Sequence, residues 1–249
     1  MKTPRQRTDL LLQSQGLADS PAKALALIMA GRVYVGTRRI EKAAELLPAD
    51  VELSIKGKDH DFVSRGALKL QAGLDHFVIN PAGKICLDVG ASTGGFTELL
   101  LRRGAAEVFA VDVGTNQLDW KLRNDPRVTC LERCDARTLT SALIPQAPQL
   151  ITADVSFLSL TLALPVALRL AASDAAAILL IKPQFELPAQ DVPSGGIVTD
   201  PAAQQAMIEK VRSWLQQVMG WRVAGVIPSP ITGRDGNQEY LIAAHNRMA

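Results

Sequence analysis

The sequence predicts an α/β chain in two parts: an open, mostly parallel sheet wrapped by helices, preceded by a small α+β module. Three observations predict it. From Lys84 onward, short apolar runs alternate with helix-length amphipathic runs, the pattern of a parallel sheet covered by helices. A glycine-rich stretch, Asp88-Val89-Gly90-Ala91-Ser92-Thr93-Gly94-Gly95-Phe96-Thr97, falls between the first long strand and its helix. The chain's start is also basic: positions 1–42 hold eight Lys/Arg against three acidic residues, a local +5 in a chain of net +2.

In the first module, residues 8–16 form a short apolar-periodic helix. Ser20-Pro21 then supply an N-cap and a first-turn proline for a helix through Ala30, closed by Gly31. Val33-Tyr34-Val35, a turn at Gly36-Thr37, and Val51-Glu52-Leu53-Ser54-Ile55 alternate as strands of a small sheet. The module spans residues 1–60, marginal in size by itself. Polar Gly57-Lys58-Asp59-His60-Asp61 reads as the linker, and the second domain, 61–249, opens with a helix over 66–76.

The second domain is predicted to place strands at 85–89, 108–113, 128–131, 150–154 and 177–181. Helices are predicted at 96–103, 157–172 and 201–219. The last should turn Ile208, Val211, Leu215 and Val218 to one face and end at Gly220. Strands at 221–227 and 239–244, joined by the loop 228–238, close the sheet as a hairpin, an ending foreign to a dinucleotide dehydrogenase. The run 157–172 is apolar but broken by Pro165, carries Arg169, and is shorter than the ~20 residues a membrane span needs. It reads as a buried helix.

Composition excludes several classes. An apolar fraction of 47% supports a buried core. Three cysteines, Cys86, Cys130 and Cys134, make no disulfide framework and point to a reducing, cytoplasmic setting. Their spacing fits no common zinc finger, so no metal is predicted. The start carries no apolar run of signal-peptide length, no cationic amphipathic helix suggests a membrane surface, and nothing calls for DNA or an obligate protein partner. His60 and His76 receive no role. The basic first module, with −3 left for the remainder, suggests a polyanion such as nucleic acid.

The glycine-rich stretch lies where a ligand approaches backbone, through Gly90, Ala91, Ser92, Gly94, Gly95 and Phe96, with Asp88 at its head. Asp112 ends the next strand 18 residues beyond Gly94, where an acid accepts from both hydroxyls of an adenosine ribose. Asp135, near the end of the third strand, is placed to meet the adenine. Three readings compete. A nicotinamide dinucleotide wants a second glycine where Ser92 stands. A hydrolase could use Gly90-Ala91-Ser92-Thr93-Gly94 with His245 and Asp191, Asp200 or Asp235, but lacks an HGGG-type oxyanion segment and leaves Asp112 idle. A methyl donor such as S-adenosylmethionine has no phosphate, needing only close backbone contact and acids, and fits best.

With these residues in view, the chain resembles the TlyA-type ribosomal RNA methyltransferases, whose catalytic domain is similar to that of FtsJ. The resemblance spans nearly the whole chain. It is carried by Ala26-Leu27-Ile28-Met29-Ala30-Gly31, Ser64-Arg65-Gly66-Ala67-Leu68-Lys69-Leu70, the glycine loop, Ala153-Asp154-Val155-Ser156-Phe157, Ile181-Lys182-Pro183-Gln184-Phe185 and Gly236-Asn237-Gln238-Glu239-Tyr240. It implies a Rossmann-like fold using S-adenosylmethionine, and a Lys-Asp-Lys-Glu tetrad for ribose 2′-O-methylation matching Lys69, Asp154, Lys182 and Glu239. A ribose hydroxyl is a poor nucleophile at neutral pH, so a nearby lysine has to take its proton, which burial or an adjacent cation favours. Lys182 is the candidate base. The resemblance implies that Lys69 supplies the neighbouring charge or orients the hydroxyl, while Asp154 and Glu239 hold the lysines and tune their charge states.

The first module resembles the RNA-binding domain shared with a small-subunit ribosomal protein, pseudouridine synthases and tyrosyl-tRNA synthetase. Arg5, Arg7, Lys23, Arg32, Arg38 and Arg39 become its phosphate contacts, which position RNA without reading sequence. The partners implied are ribosomal RNA or ribosomal subunits. The target implied is a cytidine of large-subunit rRNA, with small-subunit rRNA as a second candidate, the short first segment favouring the large subunit. Two departures stand out: Ala67 where the family often has glycine, and Thr199 where it often has arginine. A non-catalytic RNA-binding assembly factor stays open beside the enzyme and the hydrolase.

Overall fold

The computed structural model of the chain describes residues 4–29, 31–55, 61–233 and 235–246, which fall into two units, Met1–Asp61 and Phe62–Ala249. Ala30 and the expected linker residues Gly57 to His60 lie outside the described residues.

The first unit runs β1 (Arg5–Arg7), α1 (Thr8–Ser14), α2 (Pro21–Met29), β2 (Val33–Val35), β3 (Arg38–Arg39), β4 (Leu46–Pro48) and β5 (Ser54–Ile55). The Ser20 hydroxyl accepts the Lys23 N–H at 3.2 Å, the expected cap of α2. Leu11, Leu12, Leu27, Ile28, Val33 and Ile40 form the core. β1 pairs antiparallel with β4, and β3, β2 and β5 form a second sheet. The expected strand over 51–55 shrinks to β5, while β1 and β4 are strands that periodicity misses. Three residues, two of them arginines, hold no readable alternation.

The second unit carries α3 (Gly66–His76), β6 (Ile85–Val89), α4 (Gly95–Arg102), β7 (Glu107–Val111), α5 (Trp120–Arg123), β8 (Val128–Leu131) and β9 (Leu150–Ala153). It continues with α6 (Leu160–Ala163), α7 (Pro165–Arg169), β10 (Ala176–Ile181), α8 (Pro183–Glu186), α9 (Pro201–Ser213), β11 (Arg222–Pro228) and β12 (Tyr240–His245). The sheet order is β11-β12-β10-β9-β6-β7-β8, with β12 antiparallel to both neighbours and β6 to β10 parallel. This is the Rossmann-like α/β architecture expected, its closing hairpin folded back so that β12 lies inside β11.

Side-chain alternation splits the core across the sheet. Ala177, Leu179 and Ile181 of β10 join α6, α7 and α9 on one face. Ala176, Ile178 and Leu180 join α3 and α4 on the other. Strand sequence runs β6-β7-β8 outward on one side and β9-β10 on the other, so the order reverses between β6 and β9. In open α/β sheets ligands bind at the strands' carboxyl ends beside such a reversal.

Two expected helices are corrected. The run 157–172 is two short helices, α6 and α7, split at Pro165, whose ring cannot continue the preceding turn. The helix expected to 219 is α-helical only to Ser213 and then becomes a π turn over Trp214–Val218. The wider turn carries Val218 off the buried face, leaving it 67% exposed while Leu215 stays buried. Among the described residues no helix is long and apolar enough to cross a membrane.

Candidate active site

The carboxyl edge of the sheet gathers the expected tetrad. Asp154 follows β9, Lys182 follows β10, and Glu239 precedes β12. Because Ile181 pairs with Tyr240, continuing that register sets Lys182 opposite Glu239. Ile181 lies on the α6–α9 face, and Lys182 keeps an extended backbone, φ −114° and ψ 115°, so alternation turns its side chain toward the α3 face.

Two ion pairs result. The Lys69 Nζ of α3 donates to Glu239 Oε2, with side chains only 7% and 3% exposed. The Lys182 Nζ lies 2.5 Å from Asp154 Oδ1 and donates to Ser156 Oγ at 2.9 Å. Its directed hydrogen bond goes to the serine, since Asp154 Oδ1 has no partner in hydrogen-bond geometry. Gly66, one turn before Lys69, sits beside Asp154: a Cβ built there would lie 3.8 Å from Asp154 Oδ2. The start of α3 thus brings the two pairs to one locality. Burying two lysines is tolerable because each meets a carboxylate.

The glycine loop adjoins this edge. Gly90 has φ +81°, and a Cβ there would fall 2.6 Å from the Asp154 carbonyl oxygen, so only glycine lets the β6 and β9 loops touch. Ser92, exposed and at φ +48°, donates its backbone N–H to Asp112 Oδ2 at 2.8 Å; Gly114 donates to Oδ1 at 2.7 Å. A carboxylate offers about four acceptor sites, so Asp112 keeps capacity for further donors. Gly95 and Phe96 are buried at the start of α4, and Ala91 is buried too.

Two expected ligands are placed differently. Asp88 is fully buried, its Oδ2 accepting from Thr97 Oγ1 at 2.7 Å and Oδ1 from Thr152 Oγ1 at 3.1 Å, and burial pushes its carboxyl up to about 7. It anchors the loop from beneath. Asp135 accepts from the Arg137 guanidinium at 2.6 and 3.0 Å and from the Arg137 N–H at 2.9 Å, which hold its carboxyl below the usual range.

Sequence reasoning missed Ser156 as a partner of Lys182, although it stands in the quoted run Ala153-Asp154-Val155-Ser156-Phe157. It also missed Glu132, which accepts the N–H groups of Asn116, Gln117 and Leu118 and pairs with Arg123 at 2.6 Å. These donors hold its carboxyl down at about 2 and fix the loop beyond Asp112. Nothing local in a lone glutamate signals three backbone donors 14 to 16 residues away.

The hydrolase reading fails on placement. His245 pairs with Ala176, the first residue of β10, whereas Ser92 follows the last residue of β6. A six-residue strand separates those edges by roughly 20 Å at ~3.3 Å per residue. No proton can pass between them. Among the described residues no cluster of metal-ligand type occurs.

In the first unit, Arg7 pairs with Asp9 at 2.6 Å, Arg38 with Glu45 at 2.7 Å and Arg39 with Glu41 at 2.9 Å. Arg5 donates to the Leu46 carbonyl at 2.8 Å. Lys23 is exposed on α2, and Arg32 lies between α2 and β2.

Residues 62–246 match the FtsJ-like methyltransferase family. The chain is 44% identical, over 96% of its length and 89% of the relative's, to the 16S/23S rRNA (cytidine-2′-O)-methyltransferase TlyA of Mycobacterium tuberculosis. The chain belongs to the TlyA family of FtsJ-like methyltransferases. A second TlyA, the 23S rRNA (cytidine-2′-O)-methyltransferase of Campylobacter jejuni, is 36% identical over 81% of this chain and 79% of its own. A hemolysin-named structure from Streptococcus thermophilus is 37% identical, covers 98% of this chain and 90% of its own, and superposes with a TM-score of 0.76. As a TlyA-family member the chain is a methyltransferase. Of the two departures within the family pattern, Ala67 is fully buried in α3 and Thr199 is exposed.

Proposed function

We propose that this methyltransferase moves a methyl group from S-adenosylmethionine to a ribose 2′-hydroxyl of ribosomal RNA. One observation carries the reading: two lysine–carboxylate pairs, Lys182–Asp154 and Lys69–Glu239, stand at the carboxyl edge beside the glycine loop where the strand order reverses. The loop fits this donor. A side chain at Gly90 would strike backbone, and Asp112 offers a carboxylate to ribose hydroxyls. Val113, 71% exposed, offers an apolar surface next to it, and Asp135 would meet the adenine amino group on release of one Arg137 contact. When bound, the donor supplies an electrophilic methyl group on a positively charged sulfur.

The chain's own residues do the rest. Lys182 Nζ takes the proton of the 2′-hydroxyl, and Asp154, 2.5 Å away, stabilises the ammonium that forms. Ser156 holds the amine's direction through its 2.9 Å bond. Lys69, paired with Glu239, adds positive charge on the side where the hydroxyl oxygen becomes negative. The Lys182 side chain is only 10% exposed, and positioning accounts for much of the acceleration.

Residues 1–60 serve as the RNA-binding domain, with Arg5, Arg7, Lys23, Arg32, Arg38 and Arg39 facing phosphates. The enzyme acts in the cytoplasm on ribosomal subunits. The names of both TlyA relatives support a cytidine target, in large-subunit RNA first and small-subunit RNA second. The test is to supply methyl-labelled S-adenosylmethionine with separated subunits and assembled ribosomes, then digest the RNA to nucleosides. Label in 2′-O-methylcytidine from the large subunit is expected; label on a base, or none, overturns the proposal.

A further inference from the structure

Four residues beyond Lys182 the chain buries a carboxylate that the proposed chemistry does not use. Glu186, the last residue of α8, is 2% exposed. Its Oε2 accepts from Ser159 Oγ at 2.5 Å and its Oε1 accepts the Leu160 N–H at 2.7 Å, at the start of α6. From the other side Lys210 of α9 donates to the Glu186 carbonyl at 2.6 Å and lies 3.8 Å from Oε2. Three elements meet on one side chain.

The loop so fastened, residues 154–159, also carries Asp154 and Ser156, the polar contacts of the Lys182 amine. It is therefore joined three times to the segment 182–186: through Lys182 at its start, through Glu186 at its end, and between them through Phe157, whose ring centroid lies 5.3 Å from that of Phe185. Phe157 holds φ +68° while 89% exposed, a backbone conformation that a bulky residue keeps only when its surroundings fix it. Both carboxylate oxygens are in use. Glutamine in that place keeps one acceptor oxygen for the Leu160 N–H and presents an NH₂ group to Ser159, whose hydroxyl must turn from donating to accepting while its oxygen already takes the Thr161 N–H. Among charged side chains, Asp154 faces Lys182, Lys210 faces Glu186, and Asp154 adds to the rise of the buried Asp88 carboxyl.

We infer that Glu186 is a positioning residue: by fastening Ser159 and Leu160 it holds loop 154–159 so that Asp154 and Ser156 face the Lys182 amine. The inference rests on Lys182 being the base. A misplacement of about 1 Å at a reacting group costs up to about 100-fold in rate, and that is the scale expected here.

The experiment measures kcat, KM and the pH profile of kcat for wild type, Lys182→Ala, Glu186→Gln and Ser159→Ala, with thermal unfolding of each. Glu186→Gln should lower kcat by about 10- to 100-fold, leave KM for both substrates within about threefold, and shift the pH limb assigned to the base. Ser159→Ala, which keeps the Leu160 N–H bond, should move the same limb in the same direction by less. Folded variants with wild-type kcat and an unmoved profile overturn the inference, as does a fall in activity that only tracks the folded fraction. If Glu186→Gln does not fold, Ser159→Ala decides by the same two criteria. Activity remaining in Lys182→Ala overturns the underlying base assignment instead, so the two failures are distinct.

Discussion

Replacing Asp88 with asparagine should make the protein more stable at pH 8 than the wild type. The carboxyl has no exposure, and its two oxygens accept from the Thr97 and Thr152 hydroxyls and, more weakly, from the Thr97 N–H. Burial dominates and raises it from 3.8 to about 7, with the two hydroxyls pulling the other way and Asp154 adding to the rise. A carboxyl raised in the folded state binds more protons there than in the unfolded chain. Its favourable contribution is complete below about pH 4 and is lost as the pH climbs through about 7. At about 1.4 kcal/mol per unit the whole span is on the order of 4 kcal/mol, of which roughly 2 to 3 fall between pH 5 and pH 8.

Asparagine reproduces the protonated acid: its carbonyl accepts from one threonine and its NH₂ donates to the other's oxygen. Urea unfolding of both proteins at pH 5, 6, 7 and 8 isolates the effect of Asp88 and its coupling to Asp154 and Cys86, since the remaining titrating groups are shared and cancel in the difference. The gap should widen in favour of Asp88→Asn as pH rises. Parallel stability curves, or a variant weaker at pH 8 than at pH 5 relative to wild type, would refute the burial argument.

Gly94→Ala should cost about 2 kcal/mol or more, because φ is +97° and the new Cβ would fall 2.3 Å from Leu122 Cδ1 and 2.8 Å from Leu118 Cδ1; an unchanged Tm contradicts it. Lys69→Met and Glu239→Gln should each lose about 3 to 5 kcal/mol by stranding a buried partner, while the double variant loses clearly less than their sum in denaturant unfolding. Glu45→Gln frees Arg38 from its 2.7 Å pair and should tighten rRNA binding roughly twofold to fivefold at low salt. A filter-binding titration showing no gain would remove Arg38 from the RNA face.

Much of the site was legible because its residues stand at strand ends. Alternating apolar runs locate the carboxyl edge, so Asp154, Lys182 and the glycine loop fall into place from the sequence, and α3 spans Gly66–His76 as its periodicity predicts. Partners across the sheet were not legible from pattern. Lys69 and Glu239 are 170 residues apart, and only the inner position of β12 brings them together. Asp88 reads as a ligand from its place in the loop, yet the even positions of β6 point into the α3–α4 core, where two threonines meet it. Glu186 lay one residue beyond the run Ile181-Lys182-Pro183-Gln184-Phe185, and its donors come from another loop. The arginines of the first unit looked free for phosphate, but acids two to seven residues away pair with three of them.

Methyl transfer by wild type and Lys182→Ala, measured side by side on the same large-subunit preparation with RNA binding recorded for each, tests the central claim most directly. The account predicts labelled ribose from the wild type, loss of transfer in Lys182→Ala, and unchanged RNA binding in both. Transfer that survives in Lys182→Ala would contradict it, as would a folded, RNA-bound wild type that leaves every particle unlabelled.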